Sequence, residues 1–472
     1  MKQLYIISIL IIAHLYGLAQ MGYNIKVSIP NFKNQYVYLG YYFGSTLPIR
    51  DSILLNDKGN GTFVGAIPLP GGIYLLGYPN KSDKVELLID VNRYFTVILP
   101  NPNDKKSMRL VGSPEGAQFM VYQNYMEVQG KAVQALKETP NATAAEKAKI
   151  AAQRKTINDA VNAYREGIIK KNPKALLATI FNALKEPVIP EATKLQAGKY
   201  DSTYAWYYYK SNYWNGVSFT DDRLLRTPVY EPKWDNYFKQ ILYQSPDSII
   251  KEVDKILIAS MPNTEMFKYH TSKLIDRYIN PEYMGQDAVF VHIFEKYVAP
   301  GTADWFTEKQ KKYIYDRGYS LMANKLGDKA PPLNLVDTNG TALNLYNLQA
   351  KYTVLCFWDA TCGHCKEVVP KLDSIYTAKW KNMGVQVIGI MTDGGLPAWK
   401  QYITQNKLTT WLHAYQPDDV RKQENAAGKA NFRQLYDIVT TPKLYLLDKD
   451  KHIKAKQLTY LQLDDMLSKL NN

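Results

Sequence analysis

The stretch YTVLCFWDATCGHCKEVVPKLDSIY, residues 352–376, decides how the last third of the chain folds. Its first seven residues are one apolar run of β-branched and aromatic side chains, as a buried strand requires. CKEVVPKLDSIY then reads as a helix beginning at about Cys362, with a kink allowed at Pro370 after the first turn. Between strand and helix stand Cys362, Gly363, His364 and Cys365. That spacing has a physical use. A sulfur at a helix N-terminus meets unpaired amides and the positive end of the dipole, both of which stabilise a thiolate. The thiolate is the attacking species in disulfide exchange. Cys365, three positions on in the same turn, can close a disulfide with Cys362 or resolve a mixed one. A protonated His364 favours the thiolate further.

Two bland alternatives accompany this expectation. A structural zinc site needs four ligands. Only one more cysteine exists, Cys356 on the strand, and His14, His270, His292, His413 and His452 are scattered. An inert cysteine pair is the other. The spacing favours a redox pair, with no metal and no cofactor beyond the disulfide that Cys362 and Cys365 form.

Working outward, VQVIGIM (385–391) and KLYLLD (443–448) read as further strands, and PAWKQYITQNK (397–407) as an amphipathic helix. LNLVDTNGTALNLYNL (333–348) reads as a short hairpin turning at Asn339-Gly340. Strands alternating with helices predict an α/β layer around a central sheet.

These segments carry a resemblance. FWDATCGHCKEVVP (357–370) resembles the active-site segment of the thioredoxin superfamily, particularly its extracytoplasmic TlpA/ResA-like branch. Residues 327–358 resemble that branch's N-terminal hairpin and first strands, and QLYDIVTTPKLYLLDKDKHI (434–453) its cis-proline stretch. The resemblance implies a thioredoxin fold over 327–472, with Cys362 as nucleophile and Cys365 as buried resolving thiol. It implies that Pro442, after Thr441, is the cis-proline facing the cysteines, where backbone groups pair with a substrate strand. Trp358 matches the family's packing tryptophan. One departure is Cys356, which stands where ordinary thioredoxins carry a buried acid; it reads as a buried, inert residue, with a third redox thiol as the alternative. A second is the extra polar stretch 416–432, expected to be a solvated loop, with partner recognition as the sharper alternative. Gly363-His364 between the cysteines, rather than Gly-Pro, points to a potential less reducing than the roughly −270 mV of thioredoxin.

The rest of the chain has two other regimes. From Tyr23 to Gly112, short runs rich in Val, Ile and Tyr recur about every ten residues between Gly, Pro and Asn turns, predicting a sandwich-like all-β domain over 20–112. From Ser113 to 326 the apolar period becomes helical. Ser113-Pro114-Glu115 is a helix start, 143–171 a long polar helix, and 245–260, 264–279 and 306–327 amphipathic helices. The expected class is therefore multi-domain: β, then α-helical, then an α/β thioredoxin fold. These first two regions resemble, less sharply, uncharacterised domains ahead of such thioredoxins in Gram-negative envelope proteins. Residues 204–214 hold seven aromatics among eleven, read as internal packing or, alternatively, a peptide- or glycan-binding platform.

Residues 1–19, one lysine followed by an apolar run ending Gly17-Leu18-Ala19, have the pattern of a cleaved secretory signal. Export to the periplasm or cell envelope is the expectation, with an uncleaved anchor as the alternative. The net charge of +14 on 472 residues is diffuse, so a solvated cationic surface is expected rather than nucleic-acid binding. The expected partners are envelope proteins with thiols or disulfides and an upstream electron donor or acceptor. Two other functions remain open here: a binding scaffold with a secondary thioredoxin fold, and a thiol peroxidase.

Overall fold

The structure is a computed structural model that describes residues 22–137, 142–190 and 201–471. The signal expected at 1–19 lies outside them. The chain divides into two compact units, residues up to 242 with 259–266, and 243–258 with 267–472. The helical stretch expected over 113–326 is shared between the two.

The first unit opens with two four-stranded sheets. One has the order β4-β1-β7-β8 and the other β3-β2-β5-β6, with β1 Tyr23–Ser28, β2 Tyr36–Tyr41, β3 Ile49–Leu54, β4 Asn60–Gly65, β5 Gly72–Gly77, β6 Lys84–Ile89, β7 Tyr94–Ile98 and β8 Arg109–Val111. Ile25, Val27, Phe63, Phe95 and Val97 of one sheet share a core with Val37, Leu39, Leu76, Val85 and Leu87 of the other. This is the two-layer sandwich that the short alternating runs predict. Helices Pro114–Ala135 and Ala144–Lys171 follow. Thr143 and Glu146 cap the second reciprocally, whereas the Ser113 hydroxyl makes no capping bond to the first.

Of the aromatics in 204–214, only Tyr213 is fully buried and four are half-buried. Trp206 donates to the Ile241 carbonyl at 2.9 Å. Tyr213 is buried, donates to the Lys233 carbonyl at 3.0 Å and stacks on Tyr237 at 5.2 Å. Tyr204 and Tyr207 keep exposed rings.

The second unit contains helices Asp287–Ile293 and Glu308–Met322 and a seven-stranded sheet of order β10-β9-β13-β12-β11-β14-β15. Its strands are β9 Leu335–Asp337, β10 Ala342–Leu343, β11 Tyr352–Trp358, β12 Val385–Met391, β13 Leu412–Tyr415, β14 Lys443–Asp448 and β15 Ile453–Lys456. β9 and β10 form the expected hairpin, with Gly340 at φ +88° in the turn. β11 is central, parallel to β12 and antiparallel to β14. Because side chains alternate along a strand, Val354, Cys356 and Trp358 pack with Cys365, Val369 and Leu372 of helix Gly363–Ala378. Leu355 and Phe357 face the opposite core with Tyr436 and Tyr445. The polar stretch 416–432 is not the loop expected from its composition. Residues Asp418–Ala426 form a helix with no buried residue, started by Pro417 at the cap position and by Asp418 and Asp419 on the positive dipole end. Among the described residues, no helix is long and apolar enough to cross a membrane.

Candidate active site

β11 ends at Trp358, and a tight turn delivers the chain to the helix. The Asp359 carboxylate accepts from the Thr361 amide and hydroxyl, each at 2.7 Å. The Cys362 amide donates to the Asp359 carbonyl at 3.2 Å. Gly394, at φ +87°, lies against this turn; a β-carbon there would come within 2.3 Å of the Asp359 carboxylate.

Cys362 occupies the N-cap position of helix Gly363–Ala378 and is half-buried. The Cys365 amide, hydrogen-bonded to its sulfur, holds this thiol below its ordinary range, with further help from the Thr441 side chain and the His364 amide. The Cys362 thiol donates to the Thr441 carbonyl at 3.7 Å. Cys365, one turn deeper, is fully buried. Burial pushes its thiol up to about 11, although the Asp359 amide donates to the sulfur at 3.5 Å. Two sulfurs of one helical turn are thus given opposite acidities. Both stand as free thiols.

The other expected site residues fall as follows. The Thr441–Pro442 peptide bond is cis, and Thr441 reaches the Cys362 sulfur through its carbonyl. Trp358 is buried and packs on Trp399 and Tyr402. Gly363 is exposed, with open space around its α-carbon. His364 acts on the sulfur through its backbone amide. Its imidazole is exposed and lies 4.0 Å from the Glu367 carboxylate. Cys356 sits beneath Cys365 in the same core, and burial drives its thiol far above the ordinary range. A thiol held there stays protonated at neutral pH.

One cluster is absent from the sequence-based expectations. Arg317 binds the Asp437 carboxylate, and that carboxylate also receives Lys443 Nζ at 2.9 Å. Lys443 directly follows Pro442. Arg317 further donates to the Ile279 carbonyl at 3.0 Å and to Asn280 Oδ1 at 3.2 Å. Asp437 has φ +49°, in the left-handed region, at the end of the turn that leads to Thr441. A second buried group ties Lys456 of β15 to Asp287 and to Asn324 Oδ1 at 2.7 Å. The only sequence signals were an acid and a lysine bracketing Thr441-Pro442. Nothing in the helical pattern marked Arg317 as their partner.

Residues 326–456 match the AhpC/TSA family, and residues 142–317 match a domain of unknown function, DUF5106. The thiol-disulfide oxidoreductase ResA of Bacillus cereus is 27% identical over 149 residues, covering 31% of this chain and 79% of the relative. A domain of a possible thiol-disulfide isomerase from Cytophaga hutchinsonii is 39% identical, covering 31% of this chain and 92% of that one, at a TM-score of 0.27. A thioredoxin-like protein from Bacteroides caccae is 22% identical, covering 60% and 97%, at a TM-score of 0.47. The C-terminal third of the chain is a thioredoxin-like domain of the AhpC/TSA family, of the thiol-disulfide oxidoreductase type.

Proposed function

We propose that the protein is exported and exchanges thiols and disulfides with cell-envelope proteins through Cys362 and Cys365. The observation that carries this reading is the placement of the pair on one helical turn: Cys362 half-buried at the N-cap position, and Cys365 fully buried one turn deeper. Export is inferred from the residue pattern of 1–19.

In the reducing direction, the Cys362 thiolate attacks one sulfur of a partner disulfide. A Cys362–partner bond forms, the partner's S–S bond breaks, and its departing sulfur takes up a proton. Cys365 then loses its proton and attacks Cys362 Sγ. The Cys362–Cys365 disulfide forms and the second partner thiol leaves. The partner gains two electrons, and an external dithiol must return them to the pair. Burial keeps Cys365 protonated, and the smaller push from an ionised Cys362 is lost once that sulfur is held in the mixed disulfide.

The test is insulin reduction with dithiothreitol as the donor, using Cys362→Ser and Cys365→Ser. The first should fall to the uncatalysed rate. The second should accumulate partners covalently held at position 362 in envelope extract. Wild-type turnover by Cys362→Ser would refute the assigned nucleophile.

A further inference from the structure

A cavity of about 550 Å³ opens beside the reactive turn, within the range of built ligand pockets. His364 and Pro442 lie on its lining. Their neighbours Cys362 and Thr441 make the sulfur–carbonyl contact already described. On the thioredoxin-like side its lining mixes apolar Val368, Val439, Leu458 and Tyr460 with polar Thr440, Gln457 and Thr459. The opposite wall is supplied by Asn280 and Tyr313 of the helical segment. Val439 is 72% exposed and Tyr313 48%, so apolar surface is left in water on both sides of the cleft.

The helical wall is anchored. Asn280 donates to the Tyr313 hydroxyl at 3.0 Å and accepts from Arg317. Arg317 binds Asp437, which binds Lys443. One chain of polar contacts therefore runs from Tyr313 to the residue after Pro442. A cleft fixed in this way loses little on being filled.

We infer that Tyr313 and Asn280 form a selectivity wall for the exchange site, and that the cleft takes an extended polypeptide with a bulky apolar residue two positions from its disulfide cysteine. The inference rests on the thiol-exchange reading above. Its occupant follows from the chemistry, since whatever enters here must be continuous with the sulfur attacked by Cys362. In an extended segment, side chains alternate, so the residue two positions away shares the cysteine's face about 6.6 Å along the strand. His364 and Pro442 on the cleft's lining stand within two residues of Cys362 and Thr441 in the chain, so the cleft adjoins the place where that side chain would lie. The helical segment thereby chooses among disulfides on which the sulfur pair alone would act indiscriminately.

The experiment uses the full, pre-reduced chain in single turnover, with acid quench and alkylation. The substrates are cyclic peptides with one internal disulfide, carrying either Phe or Ser two positions from a cysteine. The peptide gains two electrons and two protons as the Cys362–Cys365 disulfide forms, so no further donor is needed. The Phe peptide should react roughly tenfold faster, the size of a side-chain discrimination in an apolar pocket. Tyr313→Ala should reduce that ratio to threefold or less, and Tyr313→Phe should largely retain it. Val439→Ser, at an exposed position, probes the facing wall and should also lower the ratio. Equal rates for the two peptides in the wild type, or an unchanged ratio in Tyr313→Ala, would overturn the inference and leave thiol exchange standing. Peptide reduction by Cys362→Ser would instead overturn the exchange reading itself.

Discussion

The guanidinium of Arg317 binds the carboxylate of Asp437, a residue 120 positions further along the chain, and both groups are buried. Asp437 also holds Lys443, which directly follows Pro442. The segment beside the reactive thiol is thus fastened to a helix outside the thioredoxin-like domain.

Removing Arg317 should be costly. In Arg317→Met the Ile279 carbonyl loses a donor and Asp437 loses one of its two cations in a buried place. Breaking a buried ion pair from one side costs about 3–5 kcal/mol. A clear drop in the urea midpoint is expected. Arg317→Lys keeps the charge but lacks the fork that spans Asp437 and the Ile279 carbonyl, so it should lose less. Midpoints equal to the parent's in both variants would contradict the assignment.

The three cysteines should separate by pH-dependent alkylation. With iodoacetamide and peptide mass analysis of the reduced chain, Cys362 should react at a pH below that of an ordinary thiol. Cys365 should begin to react only near pH 11. Cys356 should stay unmodified until the chain unfolds, because it is buried and its thiol is driven far up. Alkylation of Cys365 ahead of Cys362 would reverse the assigned roles.

The same shifts set the alkaline stability of the reduced protein. A thiol raised from 9.0 to about 11 stays neutral in the fold while the unfolded chain ionises. Stability should therefore decline as pH rises from about 9 toward 11. Urea midpoints across that window should fall in the wild type and fall less in Cys365→Ala.

Acid should weaken the second unit by a different group. His413 is buried beside Trp358, Trp399 and Trp411 and held near 4 by burial. The unfolded imidazole, near 6.5, takes up a proton that the folded one refuses. Stability is full above about pH 6.5 and declines as pH falls toward 4, by roughly 2 kcal/mol at pH 5. His270, fully buried and held near 3, acts in the same sense. NMR of the folded chain should find the His413 ring neutral at pH 5, and urea midpoints should be lower at pH 5 than at pH 7.

Cys356→Ala should leave insulin reduction within about twofold of the parent. It should cost about 1–2 kcal/mol of stability for the small void it opens. A loss of turnover larger than its loss of folded protein would show that Cys356 takes part in the exchange.

Much of this arrangement was legible before any coordinates. Two cysteines three apart, after an apolar run and before a helical one, place both sulfurs on a single turn. Thr441-Pro442 was marked only by the resemblance of 434–453 to a family cis-proline stretch. What stayed hidden depends on contacts between distant segments. Arg317 sits on an amphipathic helix whose period tells which face is buried but not which group it meets. Helix Asp418–Ala426 was missed because it buries no face, so no apolar period announces it; only its capping pattern could have done so. His364 drew attention to its ring, while the interaction that matters at the sulfur comes from its amide, which every residue type except proline carries.

The Lys456–Asp287–Asn324 group bears on how the molecule can be dissected. Excising the last third at residue 326 would take Asp287 and Asn324 away from the Lys456 ammonium and deprive Asp437 of one of its two cations. An isolated C-terminal piece that behaves like its parent would need compensating substitutions at both positions. Loss of activity in an uncompensated fragment would report those orphaned charges rather than a catalytic part played by the missing helices.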